Sequence, residues 1–538
     1  MTRDHRERLL AFGAITAVFF ATLFPEFDYV PVWDGRVYAN CAVEAAASGL
    51  TLDSLRCAGH PSQGYAAFLA FSQMVRLGDV RLLHLTDTLL GLLALASFRV
   101  VLARVFPAPH LARDLDLVTL ACAVHPVVLS TLVQVNIDFG VYVFFFATLA
   151  ALVSGRYGWT ALAGLFLCFS KETGVLAYLV MVGLDALFRA TGTKGTVLER
   201  LGRLAPMSVT AVPVVAYAVH VLWWNATHAE AAVWKHQWQR ATLDGFNFFD
   251  LSEPVFRSYA SGIFLLGFMW VVSAIIGADL VVGGARMARH LDHREVPGAD
   301  RRALAFVTTL TVVLAYLLTS FRTWSNLRYF ALLYPLLVLL AFAALLRLGL
   351  RAHVRAAVVA LVAALFVFAT YRSSDPVSRA VYGTFPIGDR EMYRMASITG
   401  EFGGPGRDQL VYNLEFTGYH QVQNALFLRL RPTDSTAFAT SRAVRWNIWS
   451  QLDARTWRRT LARRDVIVPR YADEVDLAAM PNRPRDVWFL EFSNHADTDR
   501  ALASLGALYR ETAIVRVHAR GHVLRAHHLV RREAPVLP

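Results

Sequence analysis

The stretch His60-Pro61-Ser62-Gln63-Gly64-Tyr65-Ala66-Ala67-Phe68-Leu69-Ala70-Phe71-Ser72-Gln73-Met74-Val75-Arg76-Leu77-Gly78-Asp79 decides how this chain is threaded. Its apolar part, 64–77, is shorter than the ~20 residues a helix needs to cross a hydrocarbon core. Read as a helix lying in the outer interface, it leaves apolar runs near 9–24, 82–103, 115–133, 139–153, 159–170, 174–188, 205–224, 260–283, 303–320, 329–346 and 356–371 to span. Basic residues then collect in the loops of one side: Arg3, Arg6 and Arg8; Arg104 and Arg113; Arg156; Arg189, Lys194, Arg200 and Arg203; Arg286, Arg289, Arg294, Arg301 and Arg302; Arg347, Arg351 and Arg355. Basic loops mark the cytoplasmic face. The reading is about eleven spans, with the N-terminus inside and the C-terminus outside. Were 64–77 to span, every later loop would change sides and the basic ones would face outward.

Of 538 residues, 55% are hydrophobic and 17% charged, and the mean hydropathy is +0.40; that balance excludes an ordinary soluble enzyme. A net charge of +12 raises the question of nucleic acid. The arginines, however, stand at the ends of apolar runs, and no basic stretch alternates with aromatics. The partner they imply is a lipid bilayer with anionic head groups, not nucleic acid. The first run is followed by Pro25-Glu26-Phe27-Asp28, with no small-residue cleavage site, and reads as an uncleaved span. After about Tyr371 the long apolar runs stop, and short β-like runs appear at 410–414, 466–468, 487–492, 513–517 and 523–524, with a helical pattern at 497–509. The expected fold is mainly α: a polytopic membrane domain over 1–371, with an outer loop at 25–80, then a soluble extracytoplasmic α/β or α+β domain over 372–538.

Few charges lie inside the apolar part of the chain, and this topology puts them on one face: Asp34, Asp138, the Lys171-Glu172 pair and Arg328-Tyr329. A charge at membrane depth costs about 2.5–3.5 kcal/mol on insertion scales, so each is a candidate for function. Asp34, in Val32-Trp33-Asp34-Gly35-Arg36-Val37-Tyr38-Ala39-Asn40, has two readings: a general base or metal ligand for a substrate at the interface, or a solvated cap of a short helix. Asp138, in Gln134-Val135-Asn136-Ile137-Asp138, is a second carboxylate or a helix N-cap. For Lys171 the plain reading is a snorkelling anchor paired with Glu172, and for Arg328 a boundary residue paired with backbone carbonyls. A divalent metal is the one cofactor admitted, with Asp34, Asp138 and His60 as candidate ligands. Cys41 and Cys57 share the outer loop, as a disulfide worth about 3 kcal/mol or as two unpaired thiols; Cys122 and Cys168 lie within apolar runs and read as packing residues. Trp223, Trp224, Trp234 and Trp238 read as an outer aromatic belt, and His290, His293, His518, His522, His527 and His528 as surface.

The order of first span, Asp-bearing loop, His60-Pro61-Ser62-Gln63-Gly64-Tyr65, interfacial helix and further spans resembles the GT-C membrane glycosyltransferases, in the branch of protein O-mannosyltransferases and bacterial aminoarabinose transferases. Ser170-Lys171-Glu172-Thr173-Gly174 is similar to their Lys-Glu-Thr-Gly turn. Asn326-Leu327-Arg328-Tyr329-Phe330-Ala331-Leu332-Leu333-Tyr334-Pro335 resembles their late Arg-Tyr…Pro segment. The resemblance covers roughly residues 1–370. It implies sugar transfer, with inversion, from a polyprenyl-phosphate donor to a glycan, lipid or protein acceptor at the outer face of a bacterial inner membrane. Asp34 would be the base, with Asp138 as second carboxylate. Lys171, Arg328 and Tyr329 would bind the donor phosphate, and His60, Tyr65 and Glu172 the substrate. One departure stands out: many members carry a second acid directly after the loop Asp, and here that neighbour is Gly35. A transporter or flippase of lipid-linked glycans, which calls for charges near mid-span, and a non-catalytic scaffold on the same fold are the competing readings.

Overall fold

The computed structural model describes residues 3–27, 31, 34–57, 60–191, 202, 204–228, 260–288, 296–320, 327–371, 375–387, 390–396, 408–410, 436–441, 470–491, 495–519 and 522–532. Of the positions singled out above, Asp28, Val32, Trp33, Lys194, Arg200, Arg203, Trp234, Trp238, Arg289, His290, His293, Arg294, Asn326, 411–414, 466–468 and 492 lie outside the described residues. The helical part comprises α1 (Arg3–Leu23), α2 (Asp34–Ser48), α3 (Gln63–Val75), α4 (Val80–Val105), α5 (Ala112–Ala123), α6 (Pro126–Val133), α7 (Ile137–Val153), α8 (Tyr157–Cys168), α9 (Glu172–Thr191), α10 (Val212–Thr227), α11 (Met269–Ala288), α12 (Arg301–Thr319), α13 (Leu333–Arg347) and α14 (Ala352–Tyr371).

Among the described residues, seven helical segments are long and apolar enough to cross a membrane, an eighth counts if the bent pair α5–α6 is one span, and α7, α8 and α13 are shorter apolar helices. Each apolar run read from the sequence is thus helical, in a chain built as a multi-pass membrane protein. The run at 115–133 differs in form from the single straight span expected. Its two helices are bent by 50° at His125-Pro126. Proline lacks an N–H and drives the preceding residue out of the helical region, and His125 has φ −67° and ψ 125°. The kink is filled from α13 and α14: the His125 ring stacks on Tyr334 at 4.4 Å and meets the edge of Phe366 at 4.7 Å.

The outer loop expected at 25–80 is largely helical. The 15 residues of α2 pack on α3, and a disulfide joins Cys41 of α2 to Cys57, 16 positions on. The 64–77 run forms α3, whose 13 residues reach about 20 Å at 1.5 Å per residue, too short for a ~30 Å core. One face, with Tyr65, Leu69 and Ala70, is buried, while Phe71, Met74 and Val75 are exposed. At Gly64 the helix lies so close to the Phe166 carbonyl of α8 that a Cβ would overlap it. Away from these elements, ion pairs join helices, Asp114 to Arg355 at 2.8 Å, Asp116 to Arg99 at 2.7 Å and Asp279 to Arg347, and one lies within α9, Asp185 to Arg189 at 2.8 Å.

Beyond α14 come α15 (Pro376–Tyr382), α16 (Glu474–Ala479), α17 (His495–Leu505), and strands β1 (Thr384–Ile387), β2 (Arg390–Ala396), β3 (Asp408–Leu410), β4 (Thr436–Thr440), β5 (Arg470–Asp473), β6 (Asp486–Leu490), β7 (Tyr509–Ala519) and β8 (His522–Arg531). One sheet is an antiparallel β1-β2-β3; the other is mixed, in the order β5-β4-β6-β8-β7, with β4 parallel to β5 and β6. Ala437, Ala439, Val487, Phe489 and Leu529 bury one face against Leu477 of α16 and Ala501 and Leu505 of α17. Strand β8 lies between β6 and β7, which corrects the reading of its histidines as plain surface. His527 is buried and bonds Glu511 at 2.9 Å, and His528 stacks on Trp488 at 4.4 Å.

Candidate functional site

Four segments far apart in sequence meet at one end of the bundle. Asp34 is the first residue of α2, Asp138 lies in the first turn of α7, Lys171 is in the turn between α8 and α9, and Arg328 is in the short helical turn Leu327–Phe330 before α13. The Arg328 guanidinium hydrogen-bonds Asp34 through Nη2 and sets its Nε 3.2 Å from Asp138 Oδ2. Lys171 Nζ donates to Asp138 Oδ1 at 2.7 Å. Tyr329 supplies the ring beneath both cations, 4.2 Å from Lys171 Nζ and 5.5 Å from the Arg328 carbon, in the range of cation–π attraction.

These partners differ from the plain readings. Lys171 pairs with Asp138, not with Glu172, and Arg328 pairs with carboxylates. Asp138 is not the N-cap of α7. That place belongs to Asn136, whose Oδ1 accepts from the Asp138 N–H at 3.1 Å, which leaves the Asp138 carboxylate for the cations.

Backbone contact sets the spacing of the two carboxylates. A Cβ on Gly35 would overlap the Gln134 carbonyl oxygen, so the first turn of α2 lies directly on the turn that precedes Asp138. Val135, in that same turn, has a φ of 53°. A β-branched residue is a genuine outlier there, at a cost of about 1–3 kcal/mol, and such strain clusters at functional sites. No side chain has room at position 35, because the Gln134 main-chain carbonyl stands where its Cβ would lie.

Next to this cluster, His60 Nδ1 lies 2.8 Å from Glu172 Oε2. The His60 backbone N–H bonds the Cys57 carbonyl at 2.8 Å, so the disulfide to α2 also anchors the His60 loop. Tyr65, expected near substrate, points elsewhere: it is fully buried and donates to both oxygens of Asp87 in α4, at 2.8 and 2.9 Å. Sequence reasoning passed over Asp87, although an acid within the apolar run 82–103 was the signal. It also passed over Tyr38, one turn beyond Asp34 and buried, and Arg56, whose guanidinium lies 3.9 Å from the Trp224 ring centroid.

Electrostatics keep the cluster charged. Burial would raise the Asp34 pKa, but Arg328 above all, with Lys171 and His60, outweighs it and holds the carboxyl below its ordinary 3.8. Burial would lower the Lys171 and Arg328 values, and Asp138 and Asp34 respectively reverse this and raise them. Tyr38 is pushed well up, by burial first and then by Asp34. The Asp34 side chain keeps 52% of its surface open while Asp138 keeps 5%, so Asp34 is the reachable carboxylate.

Among the described residues no three His, Cys, Asp or Glu side chains gather as a metal site. Of the candidate ligands, Asp34 and Asp138 face Arg328 and Lys171, where a cation would stand, and His60 faces Glu172. This donor set does not fit a divalent ion.

No family model matches the chain, and no curated protein matches it. Among solved structures it is similar to that of ArnT from Cupriavidus metallidurans bound to undecaprenyl phosphate, with 13% identity and a TM-score of 0.46 over 96% of this chain and 97% of that one.

Proposed function

We propose that the protein is a membrane glycosyltransferase that moves a sugar, with inversion, from a polyprenyl-phosphate donor to an acceptor hydroxyl. The reading is carried by one observation: an open carboxylate, Asp34, pairs with the buried Arg328, beside the buried Lys171 that Asp138 holds, at one end of a bundle of apolar helices. Asp34 takes the proton of the acceptor hydroxyl as its oxygen bonds to the anomeric carbon. The bond from that carbon to the phosphate oxygen breaks with its electron pair, and Arg328 and Lys171 balance the charge that grows on the departing phosphate. Tyr329 fixes the two cations. The apolar helices hold the prenyl chain, and the His60–Glu172 pair borders the place of the acceptor, a glycan, lipid or protein. The active face is periplasmic in a bacterial inner membrane, with 1–371 as the catalytic domain and 372–538 as a soluble domain on the same side.

The alignment of charges at one helical end, instead of along a mid-span path, favours transfer over transport. The test is transfer by purified protein from radiolabelled polyprenyl-phosphate sugars to a membrane-extract acceptor. Asp34→Asn is expected to lose at least 10²-fold in rate, in the range of general-base effects, while keeping its thermal transition. Equal rates for both proteins would remove Asp34 from the chemistry. No transfer by folded wild type from any donor would sink the transferase reading.

A further inference from the structure

Arg328 is shared unequally. Asp138 is 5% exposed and bonded to Lys171 as well as lying against Arg328, whereas Asp34 is 52% exposed and bonded to Arg328 from the open side. Arg328 is itself 7% exposed and Lys171 11%. An anion arriving from solvent therefore meets Asp34 before it meets either cation. Among these four described residues the two carboxylates and two cations offset one another, so the quartet has no surplus positive charge for a phosphate unless one carboxylate yields.

Building on the transferase reading, we propose that the donor phosphate binds by exchanging with Asp34 for the Arg328 guanidinium, so that donor occupancy itself releases the base. The exchange keeps the buried guanidinium paired throughout, and leaving it unpaired is the costly alternative. The Asp34 end of the pair is open, so the displaced carboxylate is hydrated as it leaves, and the guanidinium fork suits two phosphate oxygens at least as well as a carboxylate. Asp138 stays behind as the fixed partner that keeps Lys171 and the Arg328 Nε in place. Because α2 is tied by the Cys41–Cys57 disulfide and packs on α3, the release is a rotation of the Asp34 side chain and not a retreat of the helix. A carboxylate bound to arginine accepts a proton poorly. Once phosphate holds Arg328, the lowering influence on Asp34 is withdrawn and its basicity rises when the donor is in place.

Equilibrium binding of a polyprenyl phosphate in detergent, with full-length protein, tests this. Asp34→Asn and Asp34→Ala both remove the competitor and should bind about tenfold more tightly than wild type. Arg328→Gln should bind more weakly. Glu44→Gln removes an exposed carboxylate of the same helix, α2, away from the cluster and should change affinity less than threefold. Wild-type binding with no gain in either folded Asp34 variant overturns the exchange and leaves the transferase reading standing. So does an equal gain in Glu44→Gln, which would reduce the effect to bulk charge. No binding by wild type or the Asp34 variants overturns the exchange and the transferase reading together.

Discussion

Gly35 is where a single atom decides the site. Its missing Cβ lets α2 rest on the Gln134 carbonyl, and this brings Asp34 and Asp138 to one guanidinium. Gly35→Ala places a methyl where main chain already stands, so the first turn of α2 must move. A displacement near 1 Å costs about 10²-fold in a positioned reaction, and that loss is expected in kcat with the protein still folded. The same movement draws Asp34 away from Arg328, whose charge holds its pKa down against burial. The Asp34 pKa then rises, and the acid limb of kcat/KM, which reports the free enzyme, shifts to higher pH. An unshifted limb in an active Gly35→Ala protein would refute this account of Gly35. The residue's identity was plain in the sequence, directly after the loop aspartate. Its reason was not, because the carbonyl that replaces a side chain belongs to a segment about a hundred positions away.

At the scale of elements, the helices were legible because apolar composition is local, and each run needs only its own residues to be recognised. The kink at His125-Pro126 was not read from the sequence, where 115–133 stood as one span, although its cause, a proline acting on its neighbour, is local. The joints between helices were not. Asp114 at the start of α5 holds Arg355 of α14 through Nη2 at 2.8 Å and Nε at 3.2 Å, with side chains only 8% and 12% exposed. Asp114→Ala strands that guanidinium, and removing one partner of a buried pair costs about 3–5 kcal/mol. The detergent-solubilised variant should therefore unfold at a clearly lower temperature, while Arg355→Met on the Asp114→Ala background recovers part of the loss. A variant as stable as wild type would show the pair to be solvated.

For the molecule as a whole, the threading sets which face does chemistry. Asp34, Asp138, Lys171 and Arg328 share one end, and the eleven-span reading makes that end extracytoplasmic. A membrane-impermeant maleimide applied to intact spheroplasts should label Leu77→Cys and leave Ala352→Cys unlabelled until the membrane is opened; both positions are exposed. The reverse pattern would invert the topology and place the site inside. The sequence by itself determined the class of the molecule, its helical runs and its basic side, because hydropathy and charge are properties of each segment alone. It also supplied Asp34, Asp138, Lys171 and Arg328 as candidates, since a charge beside a span is conspicuous wherever it lies. Only the tertiary structure decided the pairings: Arg328 with Asp34 across 294 positions, Lys171 with Asp138 across 33, and Tyr65 withdrawn to Asp87. The physical reason is that an ion pair depends on separation in space, and helices packed side by side bring together residues that no local periodicity relates.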